Sequence, residues 1–417
     1  MCYNCKVNIL WLTNIKPHII SRSFGEKENI YGGWIDDISL KLLKNNHITF
    51  LFPSNNIESN FNGSFSYYSF KTSDDYLDIF KNVFKNNNFD IIHIWGTEYK
   101  YSYDLFEISK LFFKNNNVII SLQGIINEII KVYDSFLPKS VISNRTIKEI
   151  LCRQNISDQK NDFIDRSNYE LLLLKSIHNV IGRTEWDYNA VKSINDNVNY
   201  YKCNESMRDI FYSEPKWEYN TCNKNSIFVS QSNYPIKGFH LLLEAVSKII
   251  NKYRDLVMYT TGNDLFSIPF YRLNSYQYYI KKLILKYNLK NNIKFLGFLD
   301  KNHMKEMYLK TNIFVSPSTI ENSSNSISEA MLTGTPIIAS NVGGTNSLIR
   351  DKIDGLLYKV DDINCLADLI DKCFSSKDLI EGFSKNSKVR ANKLFDRDKN
   401  YNDLINIYNS VIKENNI

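Results

Sequence analysis

The stretch that decides the fold runs from Ile313 to Ser340: IFVSPSTIENSSNSISEAMLTGTPIIAS. It opens on an apolar run, Ile313–Ser316, that reads as a buried strand, and passes through a polar loop holding Glu321 into an apolar-periodic segment holding Glu329. Gly334 is placed to stop that helix, and Pro336 opens a second apolar run, Pro336–Ser340. Strand, loop, helix and strand in succession form the unit of a parallel sheet covered by helices. Ser323, Ser324 and Asn325 stand where the helix is capped, and the free N–H groups of its first turn, through Ser326 and Ile327, point at an anion. Glu321 in the loop and Glu329 in the helix, eight positions apart, can accept hydrogen bonds from hydroxyls on either side of that anion. Phosphate flanked by hydroxyls is the chemistry of a sugar nucleotide.

The same rhythm extends over the rest of the chain. Strands are expected at Val7–Thr13, Ile48–Pro53, Asp90–Gly96, Val118–Gly124 and Asn179–Arg183, then at Ser226–Gln231, Leu256–Gly262 and Ile293–Leu299 ahead of the two already quoted. Helices such as Gly238–Ile250 and Lys301–Lys310 lie between them. At 417 residues the chain exceeds one ordinary core, so two doubly wound α/β domains are expected, of roughly 200 residues each. The polar stretch Tyr201–Asn225, with Pro215, reads as the linker. In such sheets ligands sit beyond the carboxyl ends of the strands. A mostly helical insertion, Ile125–Tyr169, interrupts the rhythm. Its Lys131, Lys139, Arg145, Lys148 and Arg153 beside Ile, Val and Leu are read either as solvated helix faces or as peripheral contact with a membrane or lipid-linked acceptor.

An apolar fraction of 43% and a charged fraction of 23% describe a folded globular chain. The net charge of +6 suits a phosphorylated small ligand and falls short of a nucleic-acid footprint. Seven cysteines without a repeating spacing argue against a disulfide framework and for a reducing, cytoplasmic compartment; the lone Cys2–Cys5 pair lacks the partners of a zinc site. No signal peptide and no run of about 18 apolar residues is present, so a cytoplasmic protein is expected, at most touching the inner face of a membrane.

Outside the first stretch, Gly32 and Gly33 open a helix where the backbone can approach a diphosphate, and no Gly-x-Gly-x-x-Gly turn for NAD or FAD follows the first strand. Arg183 ends a strand before a helix that Thr184 and Asp187 can box. It is read either as a phosphate contact or as a structural salt bridge. His93 and Gln123 end neighbouring strands on the acceptor side, His93 being a candidate contact or a satisfied core histidine.

From Glu321 to Pro336 the chain resembles glycosyltransferase family 4, whose hallmark is Glu, seven residues, Glu-Ala-Met and a Gly-x-Pro turn. The resemblance implies a GT-B fold, two facing Rossmann-like doubly wound domains with a C-terminal helix crossing back to the N-domain. The boundaries expected are 1–205 for the acceptor domain, 222–393 for the donor domain and 394–417 for the returning helix. It further implies a retaining transferase that moves a sugar from a nucleoside-diphosphate sugar to a glycan or lipid-linked hydroxyl in surface-polysaccharide synthesis, with no cofactor and no metal. Glu329 would bind the ribose, Glu321 would lie beside the donor sugar, and Lys237 matches the lysine that neutralises the diphosphate. Gln231 stands where the family has arginine, and an amide brings no charge to the leaving group. Ser347 likewise replaces the usual glutamate after Gly343 and Gly344, two glycines read as a close approach to donor or as a tight turn. Two other readings stand beside the transferase: a sugar-nucleotide epimerase or hydrolase on the same fold, and a non-catalytic sugar-nucleotide-binding subunit.

Overall fold

The computed structural model describes residues 6–26, 33, 35–73, 75–113, 117–152 and 154–414. The chain divides into two compact units, one of Met1–Asn127, Asp165–Arg208 and Phe395–Ile417, the other of Glu128–Ile164 and Asp209–Leu394. This departs from the expected boundaries chiefly in the insertion, most of which groups with the second unit.

The first unit is built on a sheet of β1 (Asn8–Leu12), β2 (His47–Pro53), β3 (Ser59–Asn62), β4 (Phe65–Phe70), β5 (Ile91–Trp95), β6 (Val118–Ser121), β7 (Asn179–Gly182) and β8 (Asn199–Lys202). Its order is β3-β4-β2-β1-β5-β6-β7-β8, parallel except for the β3–β4 pair. Side chains alternate across a strand, and in β1 Leu10 and Leu12 join one apolar cluster while Ile9 and Trp11 join another. Both faces are therefore covered, which is why the strand reads as an unbroken apolar run. Leu404, Ile407, Tyr408 and Val411 of the helix Arg397–Glu414 complete the second of these clusters.

The second unit holds β9 (Asn223–Val229), β10 (Val257–Thr260), β11 (Ile293–Phe295), β12 (Thr311–Ser316), β13 (Ile337–Ser340) and β14 (Leu356–Tyr358). All are parallel, in the order β11-β10-β9-β12-β13-β14. The order reverses between β9 and β12, and a crevice at such a switch point is where doubly wound sheets take ligands. The helices around it have legible causes. Asp300 accepts from the amides of Asn302 and His303 to start Lys301–Lys310. Gly334, left-handed at φ 85°, ends Asn325–Thr333. The ten expected strands all occur, each within a few residues of its expected ends.

Candidate functional site

The second unit gathers its candidates at the carboxyl ends of β9, β12 and β13. After β9 the chain runs through Gln231, which is exposed, to a short turn, Pro235–Lys237. Gly238 then turns left-handed at φ 66°, and a Cβ there would lie 1.8 Å from the carbonyl oxygen of Pro317. Only glycine lets the two loops meet this closely. The amide of Thr319 donates to the carbonyl of Ile236 at 2.8 Å, locking the loops together. Lys237 Nζ consequently donates to Glu321 Oε1 at 2.6 Å, and Ser318 Oγ donates to the same oxygen at 2.7 Å. The lysine and the carboxylate both remain partly exposed.

Glu321 is fixed through its backbone as well. Gly344 N–H donates to its carbonyl at 2.9 Å, and a Cβ on Gly343, at φ 52°, would stand 1.9 Å from that oxygen. Of the two roles weighed for this glycine pair, the geometry assigns Gly343 to a tight turn packed on the Glu321 loop.

Ser323 and Ser324 lead into the helix Asn325–Thr333, but Ser324, at the N-cap, makes no side-chain capping bond. The first-turn amides through Ser326 and Ile327 are thus not consumed by the helix's own cap residue, and with the helix dipole they are chemically suited to an anion. Ser230 Oγ, at the end of β9, donates to Ser326 Oγ at 2.9 Å and ties this end to the Lys237 loop. Glu329, one turn further on, is only 5% exposed, with the Tyr308 hydroxyl donating to its Oε2 at 3.3 Å. That hydroxyl also lies 3.1 Å from the carbonyl of Ser326, and its ring packs edge-on against Phe228 and Phe314. Tyr308 orients Glu329 and was not singled out from the sequence; nothing in the spacing of Lys301–Lys310 marks it.

The first unit gathers a second set at the ends of β5, β6 and β7. His93 is fully buried, stacked on Trp95 at 4.1 Å. Tyr408 Oη accepts from Trp11 Nε1 at 3.0 Å and lies 2.6 Å from His93 Nδ1, while His93 Nε2 lies 2.7 Å from Ser121 Oγ, so both ring nitrogens are hydrogen-bonded. Burial depresses the imidazole pKa to about 3, so the ring is neutral. His93 takes the core-histidine alternative. Arg183 is buried too: Nη1 donates to Glu205 Oε2 at 2.6 Å and Nη2 to the carbonyl of Leu122 at 3.1 Å. It takes the salt-bridge alternative, so the phosphate contact weighed for it is not what the structure offers. The box expected at Thr184 and Asp187 is formed. Gln123 stays half-buried, with Nε2 donating to Glu205 Oε1 at 2.6 Å.

Beside this pair stands a buried carboxylate oxygen on Glu98, just after β5. Glu98 Oε1 accepts from the Gly124 amide at 2.8 Å, while the buried Oε2 has no hydrogen-bond partner. Burial, reinforced by the neighbouring Glu170, pushes its pKa up to about 7 against the pull of its own backbone amide, the Gly124 amide and Arg183. Glu170 itself is satisfied by Thr97 and by the backbones of Ile126 and Asn127.

Gly33 is the described member of the N-terminal glycine pair, Gly32 lying outside the described residues. A Cβ on Gly33 would meet Arg208 Cγ at 2.6 Å and Cδ at 2.7 Å. The space that the missing side chain opens is taken by the stem of Arg208, a cation the sequence reading passed over.

Two Rossmann-like sheets, the second with a lysine, a carboxylate and an uncapped helix end at its switch point, place the chain in the GT-B fold class. Residues 214–390 match the family model of the glycosyl transferases group 1. The chain is 28% identical over 203 residues to a putative glycosyltransferase of Bacillus subtilis, a match spanning 48% of each chain. It is 29% identical over 121 residues to an Escherichia coli UDP-Gal:alpha-D-GlcNAc-diphosphoundecaprenol alpha-1,3-galactosyltransferase, covering 29% of this chain and 30% of that one. The chain thus spans about half the length or less of these relatives. In fold it is similar to sucrose-phosphate synthase of Thermosynechococcus elongatus, with a TM-score of 0.72 at 15% identity over 98% of this chain and 100% of the other.

Proposed function

We propose that this chain is a retaining glycosyltransferase of family 4 that moves a sugar from a nucleoside-diphosphate sugar to a hydroxyl of a glycan or lipid-linked acceptor in surface-polysaccharide synthesis. The observation that carries the reading is the Lys237–Glu321 pair held at 2.6 Å beside the uncapped end of Asn325–Thr333. The diphosphate lies on the first-turn amides of that helix, Glu321 receives hydroxyls of the donor sugar, and Glu329, oriented by Tyr308, receives those of the ribose. As the glycosidic bond breaks, charge develops on the departing diphosphate. Lys237 and the N–H groups are already in place to meet it, and preorganised donors of this kind lower a barrier without reorganising. Lys237 then exchanges part of its bond to Glu321 for phosphate, freeing the carboxylate for the sugar. Retention follows from the family resemblance and from attack on the face the diphosphate leaves. The polysaccharide setting is supported by the acceptor named for the E. coli relative.

The test is ligand-induced thermal stabilisation with UDP-, GDP- and ADP-sugars, followed by transfer assays with a cell-envelope extract as acceptor source. Lys237→Ala and Glu329→Ala are expected to abolish most turnover with an unchanged melting temperature in the absence of ligand. Wild-type rates in both would overturn the donor-site assignment. Exposed Gln231 at the arginine position favours one second reading, a non-catalytic donor-binding subunit; donor stabilisation with no transfer to the extract would select it.

A further inference from the structure

Most of the inserted segment belongs to the second unit, and one of its helices is inside out. In Ile147–Cys152 the residue turned inward is the charged one: Glu149 is 2% exposed. Its Oε1 accepts from both the amide and the hydroxyl of Ser275, each at 2.8 Å, at the first residue of the helix Ser275–Lys286, and its Oε2 accepts from the Thr146 amide at 2.9 Å. A carboxylate at a helix N-terminus is stabilised by the free amides and the dipole, so this contact fixes the rotation of Ile147–Cys152. The price of that rotation is that Ile147, Ile150 and Leu151 face outward, Leu151 at 79% exposure. The adjoining turn Phe270–Arg272 exposes Phe270 at 70% and Tyr271 beside it.

Between helix and turn lies a groove of about 680 Å³ lined by Ile147, Leu151, Pro269 and Tyr271, and its charged side chains are Lys148 and Arg272. No carboxylate lines it among the described residues. Contiguous exposed apolar side chains with a basic rim mark an interaction surface. Two observations select the occupant. A second copy seated face to face would bring Lys148 and Arg272 against their own counterparts with no lining carboxylate to meet them. An anionic bilayer, in contrast, accepts the aliphatic side chains among its acyl chains, the aromatic rings at headgroup depth and the two cations on its phosphates.

We propose that Ile147, Ile150, Leu151, Phe270 and Tyr271, with Lys148 and Arg272, form a docking surface for an anionic lipid bilayer. The surface stands independently of the donor-site reading, because vesicle binding requires no nucleotide sugar.

The test is co-sedimentation of the full chain with phosphatidylcholine vesicles carrying about 30% phosphatidylglycerol, against pure phosphatidylcholine. The wild type is expected to sediment with the anionic vesicles and to dissociate as salt is raised. The exposed triple variant Ile150→Ser/Leu151→Ser/Phe270→Ser should bind at least about tenfold more weakly, the loss expected when apolar groups no longer enter the interface. Lys148→Gln and Arg272→Gln should each weaken binding about fivefold. Circular dichroism of every variant should match the wild type. Equal sedimentation of all forms, or equal binding to neutral vesicles, would overturn the proposal. So would a concentration-dependent dimer, abolished by the triple variant, in a protein that ignores vesicles; that result would give the face to a second copy.

Discussion

Replacing Glu98 by Gln should remove a pH-dependent liability from the first unit. The carboxyl is folded back by Gly96, which takes φ 101° and whose Cβ, if present, would stand 2.2 Å from Glu98 Oε2. One oxygen is used by the Gly124 amide and the other is sealed without a partner. Its pKa rises from the ordinary 4.5 to about 7 on folding, chiefly through burial. The native state therefore binds the proton more tightly than the unfolded chain, so stability is fully present below the unfolded value and declines as pH climbs towards the folded one. At 1.36 kcal/mol per pH unit, the interval between 4.5 and about 7 sets a ceiling of roughly 3 kcal/mol, reduced by the part of the side chain that still reaches water. Gln, a neutral copy of the protonated acid, should lose none of this. The assay is a urea series at about pH 5 and about pH 8, read by pulsed hydrogen exchange in peptides covering β5 and β6. The wild type should lose between about 1 and 3 kcal/mol more than Glu98→Gln across that interval. Parallel pH profiles for the two proteins would refute the reasoning.

Gly238→Ala places a methyl against the Pro317 carbonyl in a left-handed conformation, and should cost at least about 2 kcal/mol in chemical denaturation while weakening donor stabilisation. Gly382→Ala, in the exposed face of Lys377–Leu394 with nothing within 4 Å, should instead gain up to about 1 kcal/mol and serves as its control. Gln231→Arg should raise turnover with the melting temperature unchanged, since it adds a charge at an exposed position beside the proposed diphosphate site. An unaltered rate would mean that Lys237 and the helix amides already neutralise the diphosphate.

The strands that form the two switch points were legible because parallel strands covered on both faces read as apolar runs. The four that escaped among the described residues lack that mark: Phe65–Phe70 is broken by Ser66 and Ser69, and Asn199–Lys202 is polar at both ends. Ser59–Asn62 is polar and antiparallel, joined to β4 by the two-residue turn Gly63-Ser64, and Leu356–Tyr358 is three residues long. Gly63, at φ 43°, was the one available signal. In the site, Lys237 and Glu321 were legible because each lies in a local motif, and two glycines bring those motifs together. The fates of His93 and Arg183 were not, because they depend on Tyr408, 315 positions away, and on Glu205. Burial by distant chain leaves no local pattern. For the same reason the sequence could not say that Glu149 turns inward to Ser275, 126 positions along.

The helix Arg397–Glu414 has a bearing on how the chain is made. Tyr408 is the shared partner of Trp11 and His93, and Leu404 and Val411 fill the cluster around β1. The second unit lies wholly within residues 128–394, whereas the first draws on both ends of the chain. During synthesis on the ribosome the later unit can thus close first, and the earlier one waits, with the Trp11 indole N–H and the His93 Nδ1 unanswered, until the helix Arg397–Glu414 emerges. A stop codon before Tyr408 would spare every residue of the donor site and still leave the other half without its keystone.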